Sequence, residues 1–277
     1  MPIPESHNWY DRQGNPVWEI EGANGKMRKP HLGDARKLGL LPGSTGVMKV
    51  KAKPALENWK IDQALLSALT LPRIEGETED KFMDRAKRDS MEQVREAAKR
   101  GKAIHAAIEG YFSGEPIKPE FVPYVEGTKE EMKYRLGNDI LKQPWVAESS
   151  FGCPLGYGGR PDLDCPVAVA DFKCKDFTED SVREEIEKKR AALIKKKGLH
   201  DAMGEWKCWP ENAMQLASYE RGREMRGLAL VNFIISTREP GLVVSYVWED
   251  NDHWLEGFLR LLKVWQWEKN YDSSFTK

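Results

Sequence analysis

The sequence predicts an α/β protein: a central mixed β-sheet flanked by helices. Three observations carry that prediction. Short apolar runs of strand length recur in "WVAESSF", "GYGGRPDLDCPVAVADFKCKD", "LALVNFIIST" and "LVVSYVWED". Segments with apolar residues at helical spacing precede, separate and follow them. The resulting order is helices, three strands, helix, two strands, helix, which suits a sheet with helices packed on it. A length of 277 residues fits one large domain or a core with appendages.

The opening residues, to about position 50, are rich in Gly, Pro, Asn and Asp. There "WYDRQGNPVWEI" reads as a hairpin around Gly14-Asn15-Pro16, and "GLLPGSTGVM" as a loop. Pro54 suits the first position of a helix. Leu56, Trp59, Ala64, Leu65, Ala68 and Leu69 give that helix an apolar face, and Pro72 ends it. A long amphipathic helix follows from about Glu79 to Phe112, with or without a break. Val94, Ala97, Ala98, Gly101, Ile104, His105, Ile108 and Phe112 share one side of its second half, and "SGEP" stops it. Strands are predicted at 145–151, 159–165 and 167–173. "DFTEDSVREEIEKKRAALIKKK" is polar and helical, and "NAMQLASYERGREMRG" is a further helix. Two strands joined by the turn sequence "REPG" come next, and "HWLEGFLRLLKVWQWEKNY" closes the chain as a helix. There is no internal repeat and no low-complexity segment.

Hydrophobic content of 40% with 31% charged residues allows a real core. No run of 18 apolar residues exists, so no membrane span is expected. The opening "MPIPESHNWYDRQGNP" has no apolar signal-peptide region, which leads to the expectation of a cytoplasmic protein. Cys153, Cys165, Cys174 and Cys208 form no CxxC pair and no zinc spacing. They read as reduced thiols, and no iron–sulfur cluster is expected. The net charge is −1, from 43 basic and 44 acidic residues. That does not advertise a nucleic-acid partner, although carboxylates gathered for a metal add negative charge while a local basic stripe still steers phosphate.

The charges inside the apolar stretch 156–176 need a reason. Side chains alternate along a strand, so Asp171 and Lys173 share a face. Asp162 lies nine residues before Asp171. A tight turn near Cys165-Pro166 makes the two segments an antiparallel pair and brings both aspartates to one end of the sheet. Two carboxylates and an ammonium there suit a hard divalent cation, Mg²⁺ or Mn²⁺. Such an ion polarises a phosphodiester and generates hydroxide, and a lysine positions or deprotonates the water. The competing reading is a surface salt bridge between strand charges.

Gly159-Arg160-Pro161-Asp162 followed by Asp171-Phe172-Lys173 resembles the signature of the PD-(D/E)XK nuclease superfamily. In particular it is similar to the RecB-like exonuclease branch, which includes phage-type enzymes and the mitochondrial genome maintenance exonuclease. Two further motifs of that branch have matches: a helix with a histidine, "GKAIHAAIEGYF" with His105, and QxxxY, "QLASY" with Gln215 and Tyr219. The four motifs cover about residues 100–220. The resemblance implies a restriction-endonuclease-like core and a single nuclease domain over 1–277. Its parts would be an N-terminal hairpin and helix extension (1–78), the core (79–250) and a C-terminal helix (251–277). It implies one or two Mg²⁺ or Mn²⁺ ions on His105, Asp162, Asp171 and the Phe172 backbone carbonyl. It implies that Lys173 handles the nucleophile, with Gln215 and Tyr219 beside it. Glu148 matches a glutamate often present on the first core strand. "PGSTGVMKV" departs from the Pro-Ser-Val-Thr segment of phage-type members, which puts a DNA contact by Ser44 or Thr45 in doubt.

Around these residues several alternatives stay open. Asp164 shares a strand face with Asp162 and replaces it if the register shifts by two. Glu109, one turn beyond His105, either orients the imidazole or faces solvent. The run "KKRAALIKKK" has six basic residues and no acidic one. Its Lys188, Lys189, Arg190, Lys195, Lys196 and Lys197 are candidates for phosphate contact, or a solvated helix face. Arg160 and Arg238 are further candidates. Trp206, Trp209 and Trp254 either stack on single-stranded bases or pack a core. The expected activity is metal-dependent hydrolysis of DNA from its ends, in phage or bacterial replication, recombination or repair. A recombination or single-strand-binding protein would be a natural partner. The rival readings are an endonuclease on the same core and a non-cleaving DNA-binding protein.

Overall fold

The computed structural model describes residues 8–52 and 54–276. Strand β1 (Trp9–Tyr10) pairs antiparallel with β2 (Pro16–Val17), as the hairpin reading expects. Gly14 makes the turn at φ 91°, a left-handed conformation that favours glycine, and Asp11 accepts from the Asn15 amide at 2.8 Å. A second hairpin, β3 (Ile20–Glu21) with β4 (Met27–Arg28), follows. Helix α1 (Leu32–Leu38) is capped by His31 and ends at Gly39 with φ 67°. The segment read as a loop instead holds β5 (Leu41–Pro42), which pairs with β1, and the short helix α2 (Ser44–Val47).

Helix α3 (Pro54–Thr70) and helix α4 (Glu79–Phe112) occupy the predicted places, and α4 is unbroken. The chain divides into two compact units. Lys51–Ile104 is one; the chain through Val50 together with His105–Lys277 is the other. Within the smaller unit, Ser67 is buried and donates to the Ala86 carbonyl at 2.9 Å and to Asp89 at 2.8 Å. Arg85 pairs with Glu77 at 2.8 Å and, with Arg73, lies over the Phe82 ring. The apolar face assigned to α3 is not buried: Leu65, Ala68 and Leu69 are exposed, and Ser67 is the residue turned inward. The side chains of Leu56 and Trp59 lie outside the described residues.

Everything else belongs to the larger unit. Helix α5 (Val122–Leu136), absent from the sequence reading, buries Tyr124, Val125, Thr128 and Met132. The strand expected at 145–151 is two strands: β6 (Val146–Ala147) and β7 (Phe151–Cys153). Glu148 breaks it with φ 52°. The strand expected at 159–165 also divides. β8 (Tyr157–Gly159) pairs with β7, and β9 (Leu163–Cys165) joins the main sheet. Pro161 lies between them and has no N–H for a ladder. β10 (Ala168–Lys175) is antiparallel to β9 through the turn at Cys165-Pro166. Helices α6 (Glu179–Lys197), α7 (Leu199–Lys207) and α8 (Pro210–Gly222) then lead to β11 (Ala229–Ser236). α6 is kinked at Arg190, whose φ −152° and ψ 48° are not helical. β12 (Val243–Trp248) and helix α9 (Asn251–Glu268) complete the unit.

The five-stranded sheet has the order β12-β11-β10-β9-β6, with β10 and β11 parallel and the other pairs antiparallel. This is the mixed sheet flanked by helices that the element order predicts. Two apolar clusters cover one of its faces. Val169 and Leu230 pack with Leu216, Ala217 and Phe258 of α8 and α9. Ile234 and Val244 pack with Ile186 of α6 and Met203 of α7. Each fully buried Leu or Ile contributes about 1.5–3 kcal/mol. Register places Asp171 beside Asn232 and Lys173 beside Ile234, so a polar pair interrupts the apolar face between those clusters. No helix among the described residues is long and apolar enough to cross a membrane.

Candidate metal centre and active site

The site begins at the β9–β10 turn. Ala170 is opposite Leu163, so the next pair outward is Asp171 and Asp162. The Phe172 amide donates to Asp162 Oδ2 at 2.6 Å. The Phe172 ring is buried and meets the His105 ring edge-on at 5.8 Å. His105 Nδ1 lies 3.7 Å from Asp162 Oδ2. One helical turn on, Glu109 completes a three-residue set: ligand atoms of His105, Glu109 and Asp162 all lie within 4.8 Å of one another. That adds a third reading for Glu109 to the orienting and solvent-facing ones, a metal ligand beside the histidine.

Lys173 Nζ lies 2.8 Å from Asp171 Oδ1 and 2.6 Å from Oδ2. It also lies 3.4 Å from Gln215 Oε1. The other end of that amide, Nε2, donates to the Tyr219 hydroxyl at 2.6 Å. Gln215 and Tyr219 stand one turn apart on α8, which is why this chain of bonds can form. Gly159 is demanded here by close approach: a Cβ would lie 2.6 Å from the Phe151 ring and 2.8 Å from the Tyr219 ring.

These groups open into one cavity of about 310 Å³, which His105, Asp162, Asp171, Lys173, Gln215 and Tyr219 all line. Tyr10, Ser44, Thr45 and Lys49 from the N-terminal segment line it too. Ser44 is spoken for by structure, donating to the Gly158 carbonyl and accepting from Ser218. Glu148 and Arg160 complete the lining and pair with each other at 2.9 Å.

Burial and the neighbouring Asp171 charge push the Asp162 carboxyl well above the usual range. Burial, with Glu148 adding repulsion, raises Glu109 to about 7. The His105 imidazole is pulled down to about 4 by burial, so it is neutral with a lone pair at neutral pH. Burial opposes the Lys173 charge, but Asp171 and Asp162 outweigh it and hold the ammonium above its ordinary value. Two half-buried carboxyl groups with raised affinity for protons stand beside a neutral imidazole, an arrangement that accepts a cation. Oxygen donors with one nitrogen could hold a divalent metal ion.

The geometry also separates the alternatives. Asp164, almost fully buried, accepts from Arg223 Nε at 2.6 Å and from Ser149 Oγ at 2.6 Å, away from the cavity. Asp162 is the aspartate that faces it. None of Lys188, Lys189, Arg190, Lys195, Lys196 and Lys197 lines the cavity. Lys189 pairs with Glu185 and Lys197 with Glu205, while Arg190, Lys196 and Lys197 border a separate groove beside Tyr246. Arg238 is exposed near Asp176, with 4.0 Å between their charged atoms. Trp206 carries Lys189 over its ring, Trp254 donates to the Glu249 carbonyl, and Trp209 is exposed.

Sequence reasoning missed Asn232. Fully buried beside Asp171, it donates from Nδ2 to Asp171 Oδ2 at 2.7 Å, and its Oδ1 accepts from Trp248 Nε1 at 2.7 Å. That bond from Trp248 fixes which way the amide points. The signal was present: an asparagine inside "LALVNFIIST" costs burial unless it is hydrogen-bonded.

No family model matches the chain, and comparison with curated proteins finds no match.

Proposed function

We propose that this protein is a Mg²⁺- or Mn²⁺-dependent nuclease that hydrolyses phosphodiester bonds of DNA from strand ends. The observation that carries this reading is convergence. Residues scattered from His105 to Tyr219 along the chain line one cavity, which supports the roles their motifs imply. His105, Glu109, Asp162 and Asp171 would hold the ion. When bound there, it supplies Lewis acidity toward the phosphate and acidifies water. Lys173, fastened by Asp171 and Gln215, presents N–H donors and positive charge to a phosphate or to water. Its raised affinity for its proton favours positioning water over deprotonating it. Tyr219 keeps the Gln215 oxygen turned toward the lysine. Action from ends rests on the resemblance to the RecB-like branch.

The test uses end-labelled linear single- and double-stranded DNA and a closed single-stranded circle, each with Mn²⁺. Linear DNA should be degraded from its ends and the circle left whole. Cutting of the circle identifies an endonuclease. Binding without cleavage of any substrate identifies the non-cleaving alternative.

A further inference from the structure

Trp18, between β2 and β3, is 48% exposed, a large aromatic surface left in solvent. It is not adrift. The Arg160 guanidinium sits 5.2 Å from its ring centroid, and the same arginine pairs with Glu148 at 2.9 Å. Arg160 and Glu148 both line the cavity that holds Asp162 and Lys173. Trp209 and Trp267 are also exposed, but Trp18 is set apart by its contact with a cavity-lining cation. An indole held by a cavity-lining guanidinium presents two chemistries side by side: an aromatic surface and a hydrogen-bond donor to phosphate.

We infer that Trp18 and Arg160 form a nucleotide subsite that takes an unpaired nucleobase on the indole and its adjoining phosphate on the guanidinium. This rests on the nuclease reading and adds a preference to it. Stacking on a lone indole needs a base whose face is free, which a single-stranded or frayed terminus offers and a closed duplex does not. Arg160 exchanges the Glu148 carboxylate for the phosphate. The exchange is open to it because the Glu148 side chain is 45% exposed and is resolvated on release. Glu148, matched above to a glutamate of the first core strand, thereby acts as the resting partner of Arg160.

The experiment measures binding of the full chain, in EDTA so that nothing is cut, to three end-labelled probes. They are a short oligothymidylate, the same strand with abasic terminal residues, and a blunt duplex. The wild-type protein should prefer the oligothymidylate over the abasic strand by roughly tenfold, the usual effect of one stacked base. Trp18→Ala should lose that preference while binding the abasic strand as wild type does, and Trp18→Phe should restore most of it. Arg160→Ala should weaken both single strands equally and lower the salt dependence of binding. Equal weakening of both single strands by Trp18→Ala, no effect of Trp18→Ala, or a wild-type preference for the duplex overturns the subsite. If the wild-type protein binds and cleaves no DNA, the nuclease reading falls first and the subsite with it.

Discussion

Two buried charge clusters of the larger unit differ in what they leave undone. One joins α5, α7 and β12. Glu131, nearly fully buried, meets His200 Nε2 at 2.7 Å and accepts from Ser245 Oγ. Arg135 bonds Ser245 Oγ at 2.8 Å and Asp201 at 2.7 Å. Every charge there has a partner of opposite sign. The other cluster lies at the cavity, where Lys173 is held by Asp171 while Asp162 meets the Phe172 amide and a neutral imidazole. Burial of charge is common to both, so burial alone does not mark a site. A carboxyl group that faces open space without an ion pair to Lys or Arg among the described residues, Asp162, distinguishes the second.

The largest test of that contrast is a pair of truncations. Lys173→Ala or Asp171→Ala should lower nuclease turnover per folded molecule roughly 10²–10⁴-fold. Glu131→Ala should do the reverse, costing about 3–5 kcal/mol of stability because it strands buried partners, while activity per folded molecule stays unchanged. Kinetics and thermal melts on the same preparations read both. Next, Mn²⁺ at a hundred times its dissociation constant should stabilise the protein by about 2.7 kcal/mol. His105→Ala should abolish this and His200→Ala should not; equal responses in calorimetry would erase the distinction. Asn232→Leu, which removes the donor to Asp171 but keeps the volume, should cost roughly 10–100-fold in Mn²⁺ affinity.

The smallest effect concerns pH. His200 is raised by its bond to Glu131, so its stabilisation is present below the ordinary imidazole value and fades as pH rises through the folded one. Glu109 is raised by burial, so the folded state also holds its proton more tightly and loses stability as pH climbs from about 4.5 toward 7. The signs agree and the causes differ: one group loses a charge that was paired, the other gains a charge that is not. Mn²⁺ should flatten the Glu109 contribution alone, and its affinity should increase between pH 6 and 8. Melts of Glu109→Gln against His200→Ala across that range separate the two.

Much of this arrangement was legible in the chain. The β9–β10 turn, the limits of α4, the Gln215–Tyr219 face of α8 and the final strand pair follow from periodicity and turn residues. What escaped was set by single residues acting against their surroundings. Glu148 takes a left-handed φ and Pro161 withholds an amide, so each of two apparent strands is broken in a way that apolar content does not register. α3 shows helical spacing, yet among its described side chains the one it buries is Ser67. α5 carries so many charges among its buried residues that its apolar side is faint in sequence. Asp162, Asp171 and Lys173 could be placed because their spacing is local, and His105, Gln215 and Tyr219 through the resemblance. Asn232 and Trp18 could not, because their partners are distant in the chain.

That distance has a temporal side. Asp162 and Asp171 lie on adjoining strands joined by a tight turn, so their pairing closes a short loop. Asp171 and Asn232 are 61 residues apart, joined across a parallel pair that needs α6, α7 and α8 as its crossover. Contacts of such separation are slow to form. A chain emerging from the ribosome therefore presents its carboxylates well before the amide that holds Asp171. Gln215, on the last crossover helix, also arrives before β11 has locked in place. Synthesis through Trp248 is needed before every bond described around Lys173 and Asp171 can exist, so the complete site is a property of the finished fold and is withheld from its precursors.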